Sequence, residues 1–236
     1  EYDGKYGIID SKGNVVIEPK YDSVVSVGNN IIRVGLYPDD NYFQQKYGYI
    51  TAKGKKLIDC KYDSAGDFIN GLAVVGIKKE KSNNYNTIKK GVINRKGKTV
   101  IPFEYDYIIL EDNGFIIAIK DNGLYNYEFY LFDKNGKQVF DKAYPYIATG
   151  SKGCLTGSVG ESKDRIIVQK NDGKVYLYDL NCKLICSTEG EIIFSPPYAT
   201  SISFDPTGIM SLYADIKNTG KKYMDKQGNV YSEHPY

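Results

Sequence analysis

Three similar stretches of sequence decide how this chain folds: Lys5-Tyr-Gly-Ile-Ile-Asp-Ser-Lys-Gly13, Lys46-Tyr-Gly-Tyr-Ile-Thr-Ala-Lys-Gly54 and Lys89-Lys-Gly-Val-Ile-Asn-Arg-Lys-Gly97. Weaker copies end in Asp133-Lys-Asn-Gly136, Asp179-Leu-Asn-Cys182 and Asp225-Lys-Gln-Gly228. The first residues of these six turns follow one another at intervals of 41, 43, 39, 46 and 46 residues. A period of this size is typical of units built from several short strands that cannot bury an apolar face alone.

Two further blocks recur between these stretches. One follows each of the first three turns, as Ile17-Glu-Pro-Lys-Tyr-Asp22, Ile58-Asp-Cys-Lys-Tyr-Asp63 and Ile101-Pro-Phe-Glu-Tyr-Asp106. The other is an apolar run that precedes the next copy, at Ile31–Val34, Leu72–Val75, Phe115–Ile119, Ile166–Val168 and Ile209–Tyr213. Turns that begin with Asp or Asn and close with Gly are typical of hairpin tips. The short β-branched and aromatic runs around them indicate strands, because no window keeps a helical period.

We therefore predict an all-β chain of tandem repeats, each with three to four short antiparallel strands. The unit size favours a β-propeller-like arrangement of about five blades, and an open β-solenoid is the alternative. A single repeat domain is expected over residues 1–236. Its approximate repeats are 5–45, 46–88, 89–127, 128–173 and 174–220, with a terminal hairpin at 221–236.

Several motifs are shared with a known family: Lys5-Tyr6-Gly7, Lys12-Gly13, Pro19-Lys-Tyr21-Asp22 and Gly71-Leu-Ala-Val-Val75. In these motifs the sequence resembles the bacterial WG-repeat family, in which a Trp-Gly pair opens each repeat. The resemblance covers about residues 5–231 and fades after the third repeat. It implies a repeat architecture and a binding surface, without catalytic residues. Other residues hold the tryptophan position in all six copies: Tyr6, Tyr47, Lys90, Phe129, Val175 and Lys221. A less regular repeat is expected at Lys90 and Lys221, where the aromatic residue is replaced by lysine.

Charge and hydropathy exclude some classes of partner. The 31 Lys and Arg residues nearly balance the 29 Asp and Glu residues, so no positive surplus is available for a phosphate backbone, and nucleic acid is not expected as a partner. Apolar runs such as Phe115–Ile119 are far shorter than the roughly 20 residues of a membrane span. The chain starts at Glu1 rather than Met, which indicates removal of an upstream segment. We expect a secreted or cell-envelope bacterial protein.

Metal and nucleophile chemistry have few candidates. Cys60, Cys154, Cys182 and Cys186 form no C-x-x-C pair, so neither a metal site nor a cofactor is predicted. If Asp179 to Cys186 is a hairpin rather than one strand, Cys182 and Cys186 would lie on opposite arms near its turn, where a disulfide is the alternative to the buried thiols we expect. The single histidine, His234, lies two residues from the C-terminus, which disfavours histidine-based catalysis.

Some turns resemble ligand-binding loops and are better explained as hairpin tips. The stretch from Gly91 to Thr99 has five residues between its glycines where a phosphate-binding loop has four. The turns at Asp133–Gly136 and Asp225–Gly228 lack the third acidic ligand and the distal glutamate of a calcium loop.

The tyrosines divide into two classes. One class recurs in register and is expected to pack in the core or between repeats: Tyr21, Tyr62, Tyr105 and Tyr144. The other class, with one phenylalanine, lies in polar insertions between the apolar run of one repeat and the opening stretch of the next. Because the repeat brings these insertions to one rim, their aromatic residues are our candidate binding surface: Tyr37, Tyr42, Phe43, Tyr85 and Tyr125. The Gly- and Ser-rich segment 150–165 is either a mobile loop or a contact element.

The leading hypothesis is a non-enzymatic binding module that presents its loops to a protein or cell-envelope partner. A carbohydrate-binding module is the alternative, which tyrosine platforms favour and the absence of tryptophan disfavours. A glycoside hydrolase with a carboxylate pair is a second alternative. It is disfavoured because the aspartates recur at turn positions. The oligomeric state is left open.

Overall fold

A computed structural model describes residues 3–38, 44–79, 88–124, 126–150, 162–189, 209–213 and 221–231. Its regular elements are strands, and none of the described residues belongs to a helix that could cross a bilayer. The chain divides into two compact units, Glu1–Tyr107 and Ile108–Tyr236.

The first unit contains a hairpin and two four-stranded antiparallel meanders. The hairpin pairs β1 (Tyr6–Ile9) with β2 (Val15–Tyr21). The first meander is β3 (Ser23–Ser26), β4 (Ile31–Leu36), β5 (Lys46–Thr51) and β6 (Lys56–Tyr62). The second is β7 (Ser64–Ala65), β8 (Leu72–Lys78), β9 (Ile88–Asn94) and β10 (Thr99–Tyr105).

The second unit contains three more antiparallel meanders. They are β11 (Tyr107–Leu110), whose first residue ends the first unit, with β12 (Ile116–Asp121) and β13 (Tyr127–Phe132); β14 (Tyr146–Gly150), β15 (Ser162–Gln169), β16 (Lys174–Tyr178) and β17 (Leu184–Glu189); and β18 (Ile209–Tyr213), β19 (Lys221–Asp225) and β20 (Val230–Tyr231).

The prediction of an all-β chain of short antiparallel strands in tandem is confirmed. In the described residues, five sheets of three or four strands accompany one two-stranded hairpin, and each meander has the strand order of a propeller blade. The sheets straddle the sequence repeats, because each takes its apolar-run strand from one repeat and its hairpin from the next. The single-domain boundaries stay a prediction.

The turns follow the chemistry predicted for them. In the first, the carboxylate of Asp10 accepts hydrogen bonds from the backbone N–H groups of Lys12 and Asn14, both at 2.8 Å, and Gly13 closes the turn at φ +84°. The same arrangement recurs with Asn94, Asp133, Asp179 and Asp225 as the first residue.

The glycine of each opening stretch is required by close contact with the facing strand. In the first hairpin Tyr6 pairs with Tyr21 and Ile8 with Ile17, so β2 advances four residues while β1 advances two. A Cβ at Gly7 would lie 2.3 Å from the carbonyl oxygen of Ile17. Only glycine therefore fits opposite this bulge.

The same bulge occurs in the next two hairpins. Tyr47 pairs with Tyr62 in the second, and Lys90 pairs with Tyr105 in the third, with the same two-residue offset as in the first. The expected irregularity at Lys90 is therefore wrong: lysine replaces the aromatic residue without changing the register. Its ammonium lies 5.1 Å from the ring centre of Tyr107, and burial lowers its pKa.

Successive hairpins in the first unit pack tip against strand. A Cβ at Gly54, in the second tip, would lie 3.1 Å from Cγ1 of Ile17 in β2. A Cβ at Gly97, in the third tip, would lie 3.5 Å from Cγ1 of Ile58 in β6. The isoleucines of the first two second blocks are thus covered by the next turn, which gives this residue a structural role.

Candidate interaction surface

A recurring aspartate joins the start of each early repeat to the base of a loop. Lys5 Nζ lies 2.6 Å from Oδ1 of Asp22, and Oδ2 of the same carboxylate accepts a 2.9 Å hydrogen bond from the backbone N–H of Tyr37. In the next repeat Lys46 Nζ lies 2.5 Å from Oδ1 of Asp63, and Oδ2 of Asp63 accepts a 2.9 Å hydrogen bond from the backbone N–H of Lys78. The loops after β4 and β8 therefore begin at equivalent anchors.

The third repeat keeps the ion pair, with Lys89 Nζ 2.5 Å from Asp106 Oδ1. The carboxylate side chains of Asp22, Asp63 and Asp106 are only 10%, 12% and 17% exposed, and the lysines are partly exposed. Desolvation opposes ionisation of Asp22, but hydrogen bonds from Lys5 and the Tyr37 amide outweigh it and lower the pKa of Asp22.

In the structure, each polar insertion joins the apolar-run strand of one repeat to the strand that opens the next hairpin. Residues 37–45 join β4 to β5, residues 79–87 join β8 to β9, and residues 122–126 join β12 to β13. Tyr37 lies directly after β4, is half-buried, and is anchored through its backbone to Asp22. The other four candidates, Tyr42, Phe43, Tyr85 and Tyr125, lie outside the described residues. Their joint binding surface stays a prediction.

The tyrosines that recur in register pack as expected. Tyr62, Tyr105 and Tyr144 are buried, and Tyr21 is half-buried. Tyr62 stacks on Phe103, with 6.0 Å between ring centres. Tyr144 pairs with Phe129 through two backbone hydrogen bonds, so the opening position and the second-block tyrosine still face each other in the fourth repeat.

Sequence reasoning missed an aromatic cluster around Lys170 in the second unit. The ammonium lies 3.8 Å from the ring centre of Tyr176, 5.6 Å from that of Tyr144 and 5.8 Å from that of Tyr178. Phe140 packs against Tyr144 and Tyr178. The alternation Tyr176-Leu-Tyr178 could have indicated two rings on one strand face, but nothing local to Lys170 shows that its side chain covers them.

The lysine itself supplies the cation that these rings bind. Desolvation opposes its charge, whereas the hydroxyl of Tyr178 and the neighbouring tyrosines raise the pKa of Lys170. The carboxylate of Asp172 accepts a 2.7 Å hydrogen bond from the Tyr176 hydroxyl. The cluster is therefore a set of cation–π contacts within the unit.

The cysteines of the described segments are free thiols. Cys182 closes the fifth turn at φ +63°, and Cys186 lies on β17 with its sulfur 3.5 Å from that of Met224. The expectation that Cys182 and Cys186 occupy opposite hairpin arms is wrong, because Cys182 takes the place of the turn glycine. Burial raises the pKa of both thiols and raises that of Cys60 to about 11. Cys154 and His234 lie outside the described residues.

Acidic side chains within the described segments are engaged in turns and ion pairs at several repeat positions. The carboxylates of Asp10, Asp133, Asp179 and Asp225 accept backbone N–H bonds in their own turns. In that part of the chain, no group of three or more His, Cys, Asp or Glu side chains is arranged to hold a metal ion.

The repeat matches a known protein family. The family described as WG containing repeat matches residues 6–36, 47–79 and 91–125, which are the first three repeats. These three repeats are therefore repeats of the WG family, although tyrosine or lysine stands where the family has tryptophan. None of the curated proteins compared with the chain matches it.

Solved structures of low sequence identity resemble the chain along most of its length. A eukaryotic initiation factor is 10% identical, with 99% of this chain and 62% of that chain covered and a TM-score of 0.49. AztD from Citrobacter koseri is 14% identical, with 94% and 62% covered and a TM-score of 0.43. The WD40 β-propeller domain of Doa1 is 12% identical, with 98% and 77% covered and a TM-score of 0.31. The chain thus spans less than two thirds of the first two structures.

Proposed function

We propose that this protein is a non-enzymatic binding module that contacts a protein partner through the loops between β4 and β5 and between β8 and β9. One observation carries the proposal: the carboxylates of Asp22 and Asp63 each accept a backbone N–H at the point where a connection begins, from Tyr37 directly after β4 and from Lys78 at the end of β8. Rigid bases under variable, aromatic-containing loops are the arrangement that binding loops on β scaffolds use.

The match of three repeats to the WG family supports the proposal, because the recurring residues are explained by the fold. The lysines, aspartates and glycines of the early repeats hold strands and turns, as the Lys46–Asp63 pair and Gly48 illustrate. The residues that vary between repeats lie in the connections, where partner recognition can change without loss of the scaffold.

The carbohydrate alternative has less support. Sugar-binding platforms need open ring faces, and in the Lys170 cluster the face of Tyr176 is covered by an ammonium at 3.8 Å. The secreted or cell-envelope location stays a prediction, which fractionation of the native cells would test.

The proposal is tested by affinity capture with the full chain and a triple variant, Tyr42→Ser, Phe43→Ser and Tyr85→Ser. The control variant is Val25→Ser with Val230→Ser, which removes apolar side chains that are 44% and 42% exposed elsewhere. A protein retained by the wild type and the control, and bound at least about tenfold more weakly by the triple variant, is the expected result. Equal retention by all three chains would exclude the loop surface. Binding only on a glycan array would favour the carbohydrate alternative.

A further inference from the structure

Two neighbouring hairpin tips concentrate positive charge in the first unit. Residues 1–107 contain 17 Lys and Arg residues against 13 Asp and Glu residues, whereas residues 108–236 contain 14 against 16. Six of the cations lie in the second and third tips: Lys53, Lys55, Lys56, Arg95, Lys96 and Lys98. The near balance of charges over the whole chain therefore coexists with a local positive surplus.

The turns at these two tips keep their hydrogen bonds without a carboxylate. Oδ1 of Asn94 accepts the backbone N–H groups of Lys96 and Lys98, at 2.9 Å and 3.1 Å. The hydroxyl oxygen of Thr51 accepts the backbone N–H of Lys55 at 3.0 Å. The other four turns of the series begin with aspartate: Asp10, Asp133, Asp179 and Asp225. The two tips with three cations each are thus the two whose first residue has no charge, so the turn itself does not neutralise them.

The six basic side chains are exposed and have one acidic partner among the described residues. All six residues are exposed. Nζ of Lys56 lies 2.6 Å from Oδ1 of Asp59, in a pair that is 69% exposed on both sides. In the part of the chain that the structure describes, the other five form no ion pair. Their charge is therefore left for a ligand or for water.

The second and third tips lie side by side. The sheets that carry them pack face to face, since Ile58 of the first and Ile93 of the second belong to one buried cluster. Sheets stacked in this way are about 10 Å apart. A Cβ at Gly97 would lie 3.5 Å from Cγ1 of Ile58, and Lys56 begins the same strand two residues earlier. The six cations therefore form one surface, which we call the basic tip patch.

The basic tip patch and the proposed loop surface lie at opposite ends of the strands. Strand β5 begins at Lys46, after the connection of residues 37–45, and ends at Thr51, where the second tip begins. Strand β9 runs in the same way from the connection of residues 79–87 to Asn94. A ligand on the patch would leave the loops accessible, so this inference does not depend on the proposed function.

The residues of the patch restrict the chemistry of its ligand. Residues 51–56 and 94–99 include no aromatic side chain on which a base or a sugar could stack, and no large apolar side chain that could enter a bilayer. Five of the six cations are lysines, whose compact charge binds phosphate oxygens without a fixed geometry. The carboxylates on one face of an extended acidic peptide recur only about every 7 Å. Six cations on two adjacent tips match a polymer with a charge on every phosphate better.

We infer that the basic tip patch binds a chain of inorganic polyphosphate through its phosphate oxygens. The exposed ammonium and guanidinium groups replace the counterions of successive phosphates, so salt weakens the complex strongly. The remaining residues of the first unit contain 11 Lys and Arg residues against 13 Asp and Glu residues, which confines the attraction to the tips.

The test measures binding of labelled inorganic polyphosphate to the full chain by fluorescence anisotropy. With six cations engaged, affinity should fall at least about a hundredfold between about 50 mM and about 200 mM salt. A variant with Lys53→Gln, Lys55→Gln and Lys96→Gln should bind at least about tenfold more weakly at the lower salt concentration and depend less steeply on salt. The control variant, Lys20→Gln with Lys61→Gln and Lys79→Gln, removes the same charge from exposed positions at the other end of the strands. Its affinity should change less than about twofold, because salt screens distant charges.

A second variant separates binding from folding. Thr51→Asp with Asn94→Asp gives both turns the residue that begins the other four, so the free energy of unfolding in urea should not fall. Polyphosphate should nevertheless bind about tenfold more weakly, because each tip gains a negative charge.

Two results with polyphosphate itself would overturn the inference: no saturable binding at the lower salt concentration, or equal losses in the control and the tip variant. Tighter binding of poly-glutamate, duplex DNA or phosphatidylglycerol vesicles at equal charge concentration would overturn it too. An acidic protein, a nucleic acid or a membrane would then be the occupant.

Discussion

The carboxylate of Asp63 joins two parts of its repeat: Oδ1 lies 2.5 Å from Nζ of Lys46, and Oδ2 accepts the N–H of Lys78 at 2.9 Å. Asp63 follows the last residue of β6, and Lys46 begins β5, 17 residues earlier. The same separation links Lys5 with Asp22 and Lys89 with Asp106. The lysine two residues before the opening glycine and the aspartate directly after the second-block tyrosine thus form one recurring ion pair.

The first prediction concerns this ion pair. Asp63→Ala should lower the free energy of unfolding by about 1–2 kcal/mol, because it leaves a partly exposed lysine and a backbone N–H without their carboxylate. Asp59→Ala, on the strand that Asp63 follows, is the matched control, since its ion pair with Lys56 is 69% exposed on both sides. That change should leave the free energy of unfolding in urea nearly unchanged, because water screens the exposed pair. Equal costs for Asp63 and Asp59 would refute the assignment.

The second prediction concerns pH. The pKa of Asp22 is lowered in the folded chain, so its ionised form stabilises the fold above about pH 4 and this contribution is lost as the pH falls through the folded pKa. Asp22→Asn should therefore lower the free energy of unfolding by about 1 kcal/mol at pH 7 and by clearly less at pH 3. Denaturant unfolding of both chains at the two pH values measures the difference. A gap between wild type and variant that is the same at both pH values would contradict the role of its charge.

The third prediction concerns the glycine that gives the family its name. A Cβ at Gly48 would lie 2.5 Å from the carbonyl oxygen of Ile58 and 2.7 Å from two further backbone atoms, which no side-chain rotation can relieve. Gly48→Ala should destabilise the chain by about 2 kcal/mol. Gly66→Ala is the control, because its Cβ would meet a single atom, the carbonyl oxygen of Val74, at 3.2 Å. Thermal or urea unfolding that ranks Gly66→Ala as the more damaging change would disprove the explanation.

The sequence predicts those features of the fold that depend on residues close together in the chain. The Asp10 turn, the strands around it and the all-β repeat follow from residue types at short spacing, and the structure has them. The bulge opposite Gly7 and the ion pair between Lys5 and Asp22 depend on how two strands align, which spacing alone does not give.

Contacts between residues that are far apart in the sequence could not be predicted from it either. Lys90 occupies the tryptophan position and predicts irregularity, yet the surrounding strands impose the register of the earlier repeats. Of the candidate site, sequence reasoning found the connections that carry Tyr37 and its counterparts. It did not predict that Ile9 is exposed, because Ile9 and Ile50 are the same residue type and differ only in what lies beside them.

The last prediction concerns Cys182, which occupies a turn position where the other tips have glycine. Its φ of +63° is costly for a residue with a Cβ, by about 1 kcal/mol, and glycine adopts it freely. Cys182→Gly should therefore be more stable than Cys182→Ala by about 0.5–1 kcal/mol, the gain in the turn exceeding the extra freedom of glycine in the unfolded chain. Cys186 lies on β17 with no such constraint, so there the order should reverse, with Cys186→Ala more stable than Cys186→Gly by a similar amount. Urea unfolding of the four variants under reducing conditions measures both differences. If alanine is the more stable replacement at both positions, the strain at Cys182 does not exist and the fifth turn differs from the others.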